Sequence, residues 1–279
     1  MVTTFSKDID MQFGADKCAY VKIVNGKQVS CKDKINVNNL EVTPIADGDT
    51  YRYLGQDENV EFVGVINKER VTKELYQRCR KVWSSQLSAY NKATAHKVFV
   101  TSVIVPTFGI IDWTIEDLKK IDIRIRKLMA MNGCFHPNSD VDRLYVTRFN
   151  GGRGLKSIQD MFESRIISLK LYLEQSRERS SVMRYIHTSE ENNSNRVGRL
   201  LIDEQQLIID DATKPRTAGR QYIKSVQKNK SKKYELKQVH GYIHRKVKGD
   251  PCIDSTNSQQ WLRDKYLTSH FVAYACAIQ

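Results

Sequence analysis

The chain has 279 residues, of which 40% are hydrophobic and 28% are charged. This composition excludes a chain that is disordered throughout, and the length suffices for one large domain or two small ones. Lys and Arg number 45 against 32 Asp and Glu, and the formal net charge is +13. Such an excess favours a polyanionic partner, nucleic acid first and an anionic membrane surface second, although a basic soluble protein without one has the same composition.

About the first sixty residues have the pattern of short β-strands. Residues 19–24 and 27–30 are strand candidates on either side of Asn25-Gly26, a strong hairpin-turn signal. Residues 50–54 follow a second turn signal and carry alternating aromatic side chains, as a strand edge does. These segments predict a small antiparallel β element at the N-terminus.

From about residue 65 onward, apolar residues recur with helical spacing, and the first helical stretch is expected to end near Pro106. Two capping boxes, at Thr114 with Asp117 and at Ser157 with Asp160, open further helices. The chain is therefore predicted to be mainly α, with a helical region and a helical extension after the β element. Helices within residues 66–132 are expected to bury eight apolar side chains together: Leu75, Val82, Val98, Ile104, Leu118, Ile121, Ile125 and Leu128.

The region from Lys214 to Lys248 holds most of the net positive charge. It contains twelve Lys and Arg residues and one acid, Glu235, a net charge of +11. Its centre, from Lys228 to Lys233, has the composition of a mobile basic linker or arm that binds a polyanion, and a solvated linker that binds nothing is the alternative. The tail after residue 258 has a helical pattern.

No membrane span or secretion signal is predicted. The longest apolar run has about 14 residues, between Lys97 and Asp112, and is shorter than the roughly 20 residues that a membrane helix needs. The N-terminus has no apolar signal core and the six cysteines are scattered, so free thiols in a reducing compartment are expected. We therefore expect an intracellular protein, cytoplasmic or nuclear and not secreted.

Five sequence blocks, taken in order, resemble one family. Residues 14–18 read Gly-Ala-Asp-Lys-Cys, and residues 50–55 read Thr-Tyr-Arg-Tyr-Leu-Gly. Residues 103–114 contain a Pro and then Trp-Thr, residues 136–155 contain His-Pro, Asp-Arg-Leu-Tyr and Gly-Gly-Arg-Gly-Leu, and residues 242–279 contain Trp-Leu. Together they resemble the reverse transcriptases of non-LTR (LINE-type) retrotransposons, from the end of the palm through the primer grip and thumb to the helical region beyond.

The resemblance implies the carboxy-terminal part of an RNA-directed DNA polymerase. In the family, palm carboxylates that include an Asp-Asp box hold two Mg²⁺ ions, and those residues would precede Met1. The chain alone is accordingly expected to bind RNA–DNA hybrid or duplex nucleic acid, to hold no cofactor of its own and to lack polymerase activity. A domesticated or unrelated basic helical protein, acting as a nucleic-acid-binding or protein-interaction module, is the alternative.

The resemblance also implies a division of the chain. A palm remnant with a primer-grip hairpin would occupy residues 1–62, and a helical thumb residues 63–150. A helical post-thumb region would follow over residues 151–213. A basic linker with a C-terminal helical segment would occupy residues 214–279.

Candidate site residues at the N-terminus follow from the same resemblance. Lys17 would lie near the incoming triphosphate, as a candidate general acid in the intact enzyme only, and a surface lysine beside a turn is the alternative. The primer grip would comprise Tyr51, Tyr53, Leu54 and Gly55, where aromatic rings pack on sugars and the glycine lets the backbone approach a phosphate. Ordinary cross-strand aromatics are the alternative interpretation.

Basic residues on the predicted helices and in the arm are candidate nucleic-acid contacts, because each pairing with a phosphate adds salt-dependent affinity. A solvated helix face carries similar residues. The candidates are Lys73, Arg78, Lys81, Lys120, Arg124, Lys127, Lys228, Lys230, Lys232 and Lys233. No metal site is predicted: Asp210-Asp211 follows the primer-grip block, whereas the family's box precedes it, and a helix end is the better interpretation.

Overall fold

Helices dominate the structure, a computed structural model, and the predicted fold class is confirmed. The described residues are 18–25, 27–37, 40–46, 49–53, 56–58, 64–192 and 214–278. They group into two compact units, Met1–Arg70 and Val71–Gln279. Lys17, Leu54 and Gly55, predicted as site residues, and Asp210-Asp211, predicted as a helix end, lie outside the described residues, so those interpretations stay predictions.

Short strands make up the described β structure of the N-terminal unit. They are β1 (Ala19–Tyr20), β2 (Ile23–Val24), β3 (Lys27–Gln28), β4 (Ile35–Val37), β5 (Leu40–Pro44), β6 (Tyr51–Tyr53) and β7 (Gln56–Glu58). β2 and β3 pair antiparallel across Asn25, whose φ of 51° is the left-handed conformation that a tight hairpin turn uses. β6, the strand that the aromatic alternation predicts, pairs antiparallel with β7.

One pairing differs from the antiparallel element that the sequence predicts. β5 pairs antiparallel with β4 on one side but parallel with β1 on the other, so that this sheet is mixed. The β2–β3 hairpin and β4 come between β1 and β5 in the sequence. The strand patterns in the sequence indicated β1, β2, β3 and β6 but not β4 or β5, and they carried no information on which distant partner a strand takes.

The β6–β7 hairpin is fixed to the first turns of helix α1 (Gly64–Ser84) by a buried polar contact. The fully buried Asn67 accepts a hydrogen bond from the backbone N–H of Asp57 at 2.9 Å and donates one to its carbonyl at 2.8 Å. Arg70 Nε donates to the Asp57 carboxylate, also at 2.8 Å. Tyr51, a predicted primer-grip residue, thus lies on a strand whose partner is tied to a helix.

The second unit contains the remaining helices, and no helix among the described residues is long and apolar enough to span a bilayer. After α1 come α2 (Ala89–Ala95), a π-helical turn (His96–Val100), α3 (Thr101–Ile104), a 3-10 turn (Val105–Thr107), α4 (Ile115–Met131), α5 (Val141–Tyr145), α6 (Ile158–Ser176) and α7 (Ser181–Asn192). They are followed by α8 (Pro215–Leu236), α9 (Tyr242–Gly249), α10 (Ser255–Ser258) and α11 (Ser269–Ile278).

The core of this unit collects the apolar faces of α1, α3, α4 and α6. Seven of the eight side chains predicted to share it are buried, but Val98 is 66% exposed and that prediction is wrong. The inward face of this segment is the one that carries the buried Ala93 and Ile104, and at helical spacing Val98 lies on the opposite side. His96 and Val100 point inward instead.

Both predicted capping boxes lie at helix starts, but only the first is complete. At α4, Thr114 and Asp117 exchange both hydrogen bonds of the box. At α6, the Ser157 hydroxyl accepts from Asp160 N–H at 3.1 Å, while the Asp160 carboxylate binds Lys230 of α8. The N-terminus of α6 is capped further from α4, where Asp122 accepts from Ile158 N–H at 2.9 Å.

Residues Pro215–Leu236 form the helix α8, which packs along α6, so the mobile linker or arm predicted around Lys228 to Lys233 is wrong. Ala218 and Tyr222 are buried against Ile167 and Leu171 of α6. At Gly219 the two backbones come so close that the Ser164 hydroxyl donates to the Gly219 carbonyl at 2.8 Å. The helices are thus joined by both apolar packing and a hydrogen bond.

Helix α8 is rich in lysine, but it also has a stripe of apolar residues, and two lysines of this region form ion pairs within the fold. Ala218, Tyr222 and Ile223 recur at helical spacing and are buried, which a linker would not require. Lys230 pairs with the Asp160 carboxylate, and Lys237 pairs with Asp142 at 2.7 Å. These two charges hold α8 in place, so part of the net charge that the sequence assigned to a free arm is neutralised within the fold.

Candidate nucleic-acid interface

A groove of about 700 Å³ lies between the helical segment around Lys97, helix α6 and the first half of α8. Its lining includes no Asp or Glu. Six cationic side chains from these elements and from the loop before α6 line it: Lys97, Lys156, Arg165, Arg216, Arg220 and Lys224. Because three separate parts of the chain contribute to it, the groove exists only once α8 has docked on α6.

The groove cations have no acidic partner within the part of the chain that the structure describes. The lysines of α8 and of the residue after it that have described acidic partners are Lys230, Lys233 and Lys237, which lie beyond the groove. Arg216, Arg220 and Lys224 are exposed instead. Their charge is therefore available to an anion in solution, whereas Lys230 and Lys237 are paired with carboxylates of the fold.

Electrostatic repulsion within the groove acts most strongly on Lys156. Its pKa is lowered, first by partial burial and then by the positive charges of Lys97, Arg165 and Arg220. Three cations from three different elements thus raise the potential at one amine. A bound polyanion would offset this repulsion, so the groove is arranged to gain more from anion binding than isolated surface lysines do.

The floor of the groove is small and polar. Ser164 and Ser168 of α6 lie beneath α8, and Thr101 and Ser102 lie on the α3 side. The Thr101 hydroxyl donates to Lys97 O at 2.7 Å and the Ser168 hydroxyl donates to Ser164 O at 2.9 Å. Because these hydroxyl hydrogens are donated to helix carbonyls, phosphate groups would be bound by the cations along the walls. The short side chains of the floor leave room for a nucleic-acid backbone to approach.

None of the ten basic residues predicted from sequence lines the groove. Arg78 pairs with Glu74 at 2.7 Å and stacks on the Phe99 ring at 4.7 Å. Lys230 is ion-paired with Asp160 within the fold, and its contact with nucleic acid stays a prediction. Lys233 is 70% exposed and lies 3.5 Å from Asp142. The other seven are exposed and stay predicted contacts: Lys73, Lys81, Lys120, Arg124, Lys127, Lys228 and Lys232.

The sequence did not predict that the groove cations lie together, because they are spread over more than a hundred residues. Three of them did carry a usable signal: Arg216, Arg220 and Lys224 are spaced i, i+4, i+8 and share one face of a helix. That signal required residues 214–236 to be interpreted as a helix. Lys97, Lys156 and Arg165 join them only through tertiary packing, for which no local pattern exists.

Within the described residues, no group of three or more His, Cys, Asp or Glu side chains is placed to hold a metal ion. The chain matches no protein-family model and no curated protein. The likeness to non-LTR reverse transcriptases therefore rests on the sequence blocks themselves. The functional argument that follows rests on the groove.

Proposed function

We propose that this chain binds the sugar–phosphate backbone of duplex nucleic acid or RNA–DNA hybrid in the groove between α6 and α8. The observation that carries the proposal is the convergence of six cations, without a carboxylate in the lining, from three parts of the fold. A phosphate backbone is a regular row of negative charges, and each cation that neutralises a phosphate releases condensed counterions.

This mode of binding has a characteristic strength and salt dependence. If all six cations contact phosphates, the slope of log K against log salt is about −5, at roughly −0.9 per contact. Non-specific affinities of this kind correspond to Kd values on the order of 10⁻⁴–10⁻⁶ M at physiological salt. Phosphate contacts position a protein on the duplex but do not read base sequence, so little sequence preference is expected.

The resemblance to non-LTR reverse transcriptases supports the same class of ligand. Under this proposal the chain is the carboxy-terminal, nucleic-acid-binding part of an RNA-directed DNA polymerase and acts in the cytoplasm or nucleus. By itself it holds primer–template without extending it. Purified chain incubated with Mg²⁺, nucleotides and primer–template is expected to extend nothing, and reproducible extension above a mock preparation would contradict this part of the proposal.

Two triple variants of equal charge test the groove directly. One replaces Arg216, Arg220 and Lys224 with Gln, and its matched control replaces the exposed α4 residues Lys120, Arg124 and Lys127 with Gln. Each variant removes three positive charges, so any difference reflects position and not net charge. The measurement is fluorescence anisotropy of a labelled duplex, titrated at several salt concentrations.

The groove variant is expected to bind more weakly and to lose about 3 from the salt slope, while the α4 variant keeps a slope close to that of the wild type. Equal effects of the two variants, or a larger effect of the α4 variant, would contradict the groove and favour the α4 face. Wild-type protein that binds no duplex at low salt would favour the alternative, a protein-interaction module.

A further inference from the structure

Two aromatic rings and two guanidinium groups form a surface to which three separate parts of the chain contribute. A 3-10 turn after α5 carries Arg148 and Phe149, helix α2 carries Tyr90, and a second 3-10 turn, after α10, carries Arg263. Cζ of Arg148 lies 4.4 Å from the centroid of the Tyr90 ring, and Cζ of Arg263 lies 4.5 Å from that of Phe149. These four residues are the aromatic–arginine surface, and none of them lines the basic groove.

Phe149 is the most exposed ring of this surface. The residue is 69% exposed although a guanidinium lies over one face of its ring, so the opposite face is open to solvent. Two hydrogen bonds close the turn that carries it: Gly151 N–H donates to Arg148 O at 3.3 Å, and Gly152 N–H donates to Thr147 O at 3.0 Å. Because the backbone is already fixed, little conformational freedom is lost when a flat ligand stacks on this ring.

The guanidinium groups of the surface have no acidic partner within the described residues. The described ion pairs of arginine include neither Arg148 nor Arg263. Arg263 donates to the Thr256 carbonyl at 3.4 Å, and the carboxylate of the next residue, Asp264, accepts from Tyr266 N–H at 2.6 Å. Two positive charges therefore flank the exposed ring without a carboxylate that neutralises them.

A second stack of arginine on phenylalanine shows what is particular to this surface. Phe99 is 44% exposed and lies 4.7 Å from the guanidinium of Arg78, much as Phe149 lies near that of Arg263. Arg78, however, also pairs with the Glu74 carboxylate at 2.7 Å. The charge of that stack is neutralised within the fold, whereas the charge beside Phe149 is not. The surface around Phe149 therefore favours a ligand that has both a flat ring and a negative charge.

We propose that the aromatic–arginine surface binds an unpaired nucleotide of single-stranded nucleic acid, with the base stacked on the open face of Phe149 and the flanking phosphates beside Arg148 and Arg263. Every nucleobase has a π-face that stacks on an aromatic ring, and basic residues follow the phosphates. The bases of a duplex are already stacked on one another, so this ligand differs from the duplex backbone proposed for the groove. A protein partner is the alternative, because aromatic and arginine residues are also enriched at protein interfaces.

The test compares two labelled strands of equal length on the full chain: a short oligothymidylate and an abasic oligonucleotide, which has the same phosphates but no bases. Binding is measured by fluorescence anisotropy at low salt. The wild type is expected to bind oligothymidylate about fivefold or more tightly than the abasic strand, because base stacking on one aromatic side chain contributes at least that much.

Phe149→Ala is expected to bind oligothymidylate about fivefold or more weakly and the abasic strand unchanged. Phe149→Trp, which provides a stacking ring again, should keep the preference for oligothymidylate. Arg148→Gln removes a charge and no ring, and should weaken both strands alike. Phe99→Ala is the matched control, since it removes an exposed ring stacked on an arginine elsewhere, and it should bind both strands as the wild type does.

The inference is overturned if the wild type binds the two strands equally or binds neither, results that would favour the protein partner. It is also overturned if Phe149→Ala, shown to be folded by circular dichroism, keeps the preference for oligothymidylate, or if Phe99→Ala loses it to the same extent. The groove variant with Gln at 216, 220 and 224 is expected to keep the affinity ratio of the two strands. Failure of duplex binding in the groove is thus distinguished from failure of base stacking at Phe149.

Discussion

Replacement of Gly219 with alanine is expected to loosen helix α8 from α6. A Cβ added at this position would lie 2.3 Å from Ser168 Oγ and 2.6 Å from the Ser164 carbonyl oxygen. The serine side chain can rotate away, but the carbonyl belongs to the backbone of α6 and moves only if the helices separate. Separation would also carry Arg216 and Arg220 away from the groove, although neither residue is changed.

The size of the effect follows from two opposing contributions. Overpacking of a tight contact costs about 1–3 kcal/mol, and alanine recovers roughly 0.5–1 kcal/mol of helix stability relative to glycine. The expected net loss is about 1–2 kcal/mol of unfolding free energy. In a unit of roughly 200 residues each kcal/mol corresponds to about 2–4 °C, so the melting temperature should fall by about 2–8 °C.

Gly249→Ala is the matched control, because Gly249 ends helix α9 and its added Cβ would meet nothing within 4 Å. Thermal unfolding followed by circular dichroism should show the control unchanged or slightly stabilised. Gly219→Ala should also weaken duplex binding although all six groove cations remain. If Gly219→Ala melts and binds as the control does, the close contact between α6 and α8 is wrong, and so is the argument that this contact builds the groove.

Three further predictions concern charges in the core. Burial lowers the pKa of His96 from 6.5 to about 4, so the unfolded chain binds a proton at this residue more readily than the folded one. Folding stability therefore falls by about 3 kcal/mol as the pH falls from about 6.5 to 4. Urea unfolding of His96→Leu should lack that loss. Burial raises the pKa of Asp122 from 3.8 to about 6 against the opposing backbone hydrogen bonds, so this residue adds folding stability at low pH that is lost as the pH rises from about 3.8 to 6. In the wild type, the gain from Asp122 on acidification offsets the loss from His96. Asp122→Asn should therefore lose more stability on acidification than the wild type. Lys230→Met, which leaves the Asp160 carboxylate 12% exposed and without its lysine, should lower the urea unfolding free energy by about 1–3 kcal/mol, whereas Lys228→Met, at an exposed position, should change it by no more than about 0.5 kcal/mol.

Local chemistry made several elements predictable from the sequence. The capping box of Thr114 and Asp117 satisfies the free N–H groups of a helix start, and it marks the first residue of α4. The turn at Asn25 needs a left-handed residue, and a hairpin forms there. The helical period identified buried positions such as Leu75 and Leu118, but it misplaced Val98, because the period that runs through α1 is interrupted between Ser84 and Ala89.

The candidate sites depend on contacts between distant residues, and these were mostly beyond prediction. Charge counting identified the region around α8 as the most basic but could not tell Lys230, which is paired with Asp160, from Lys224, which lines the groove. The missing information is which charges the fold neutralises.

Lysine footprinting tests most directly whether the groove holds nucleic acid. The protein is treated with an acetylating reagent in the absence and presence of saturating duplex, and the modified lysines are quantified by mass spectrometry. The groove lysines Lys97 and Lys224 are expected to be protected by the duplex, while Lys73 and Lys120, which are also exposed in the free protein, stay reactive. Protection of Lys73 and Lys120 with Lys97 and Lys224 left reactive would contradict the groove as the binding site.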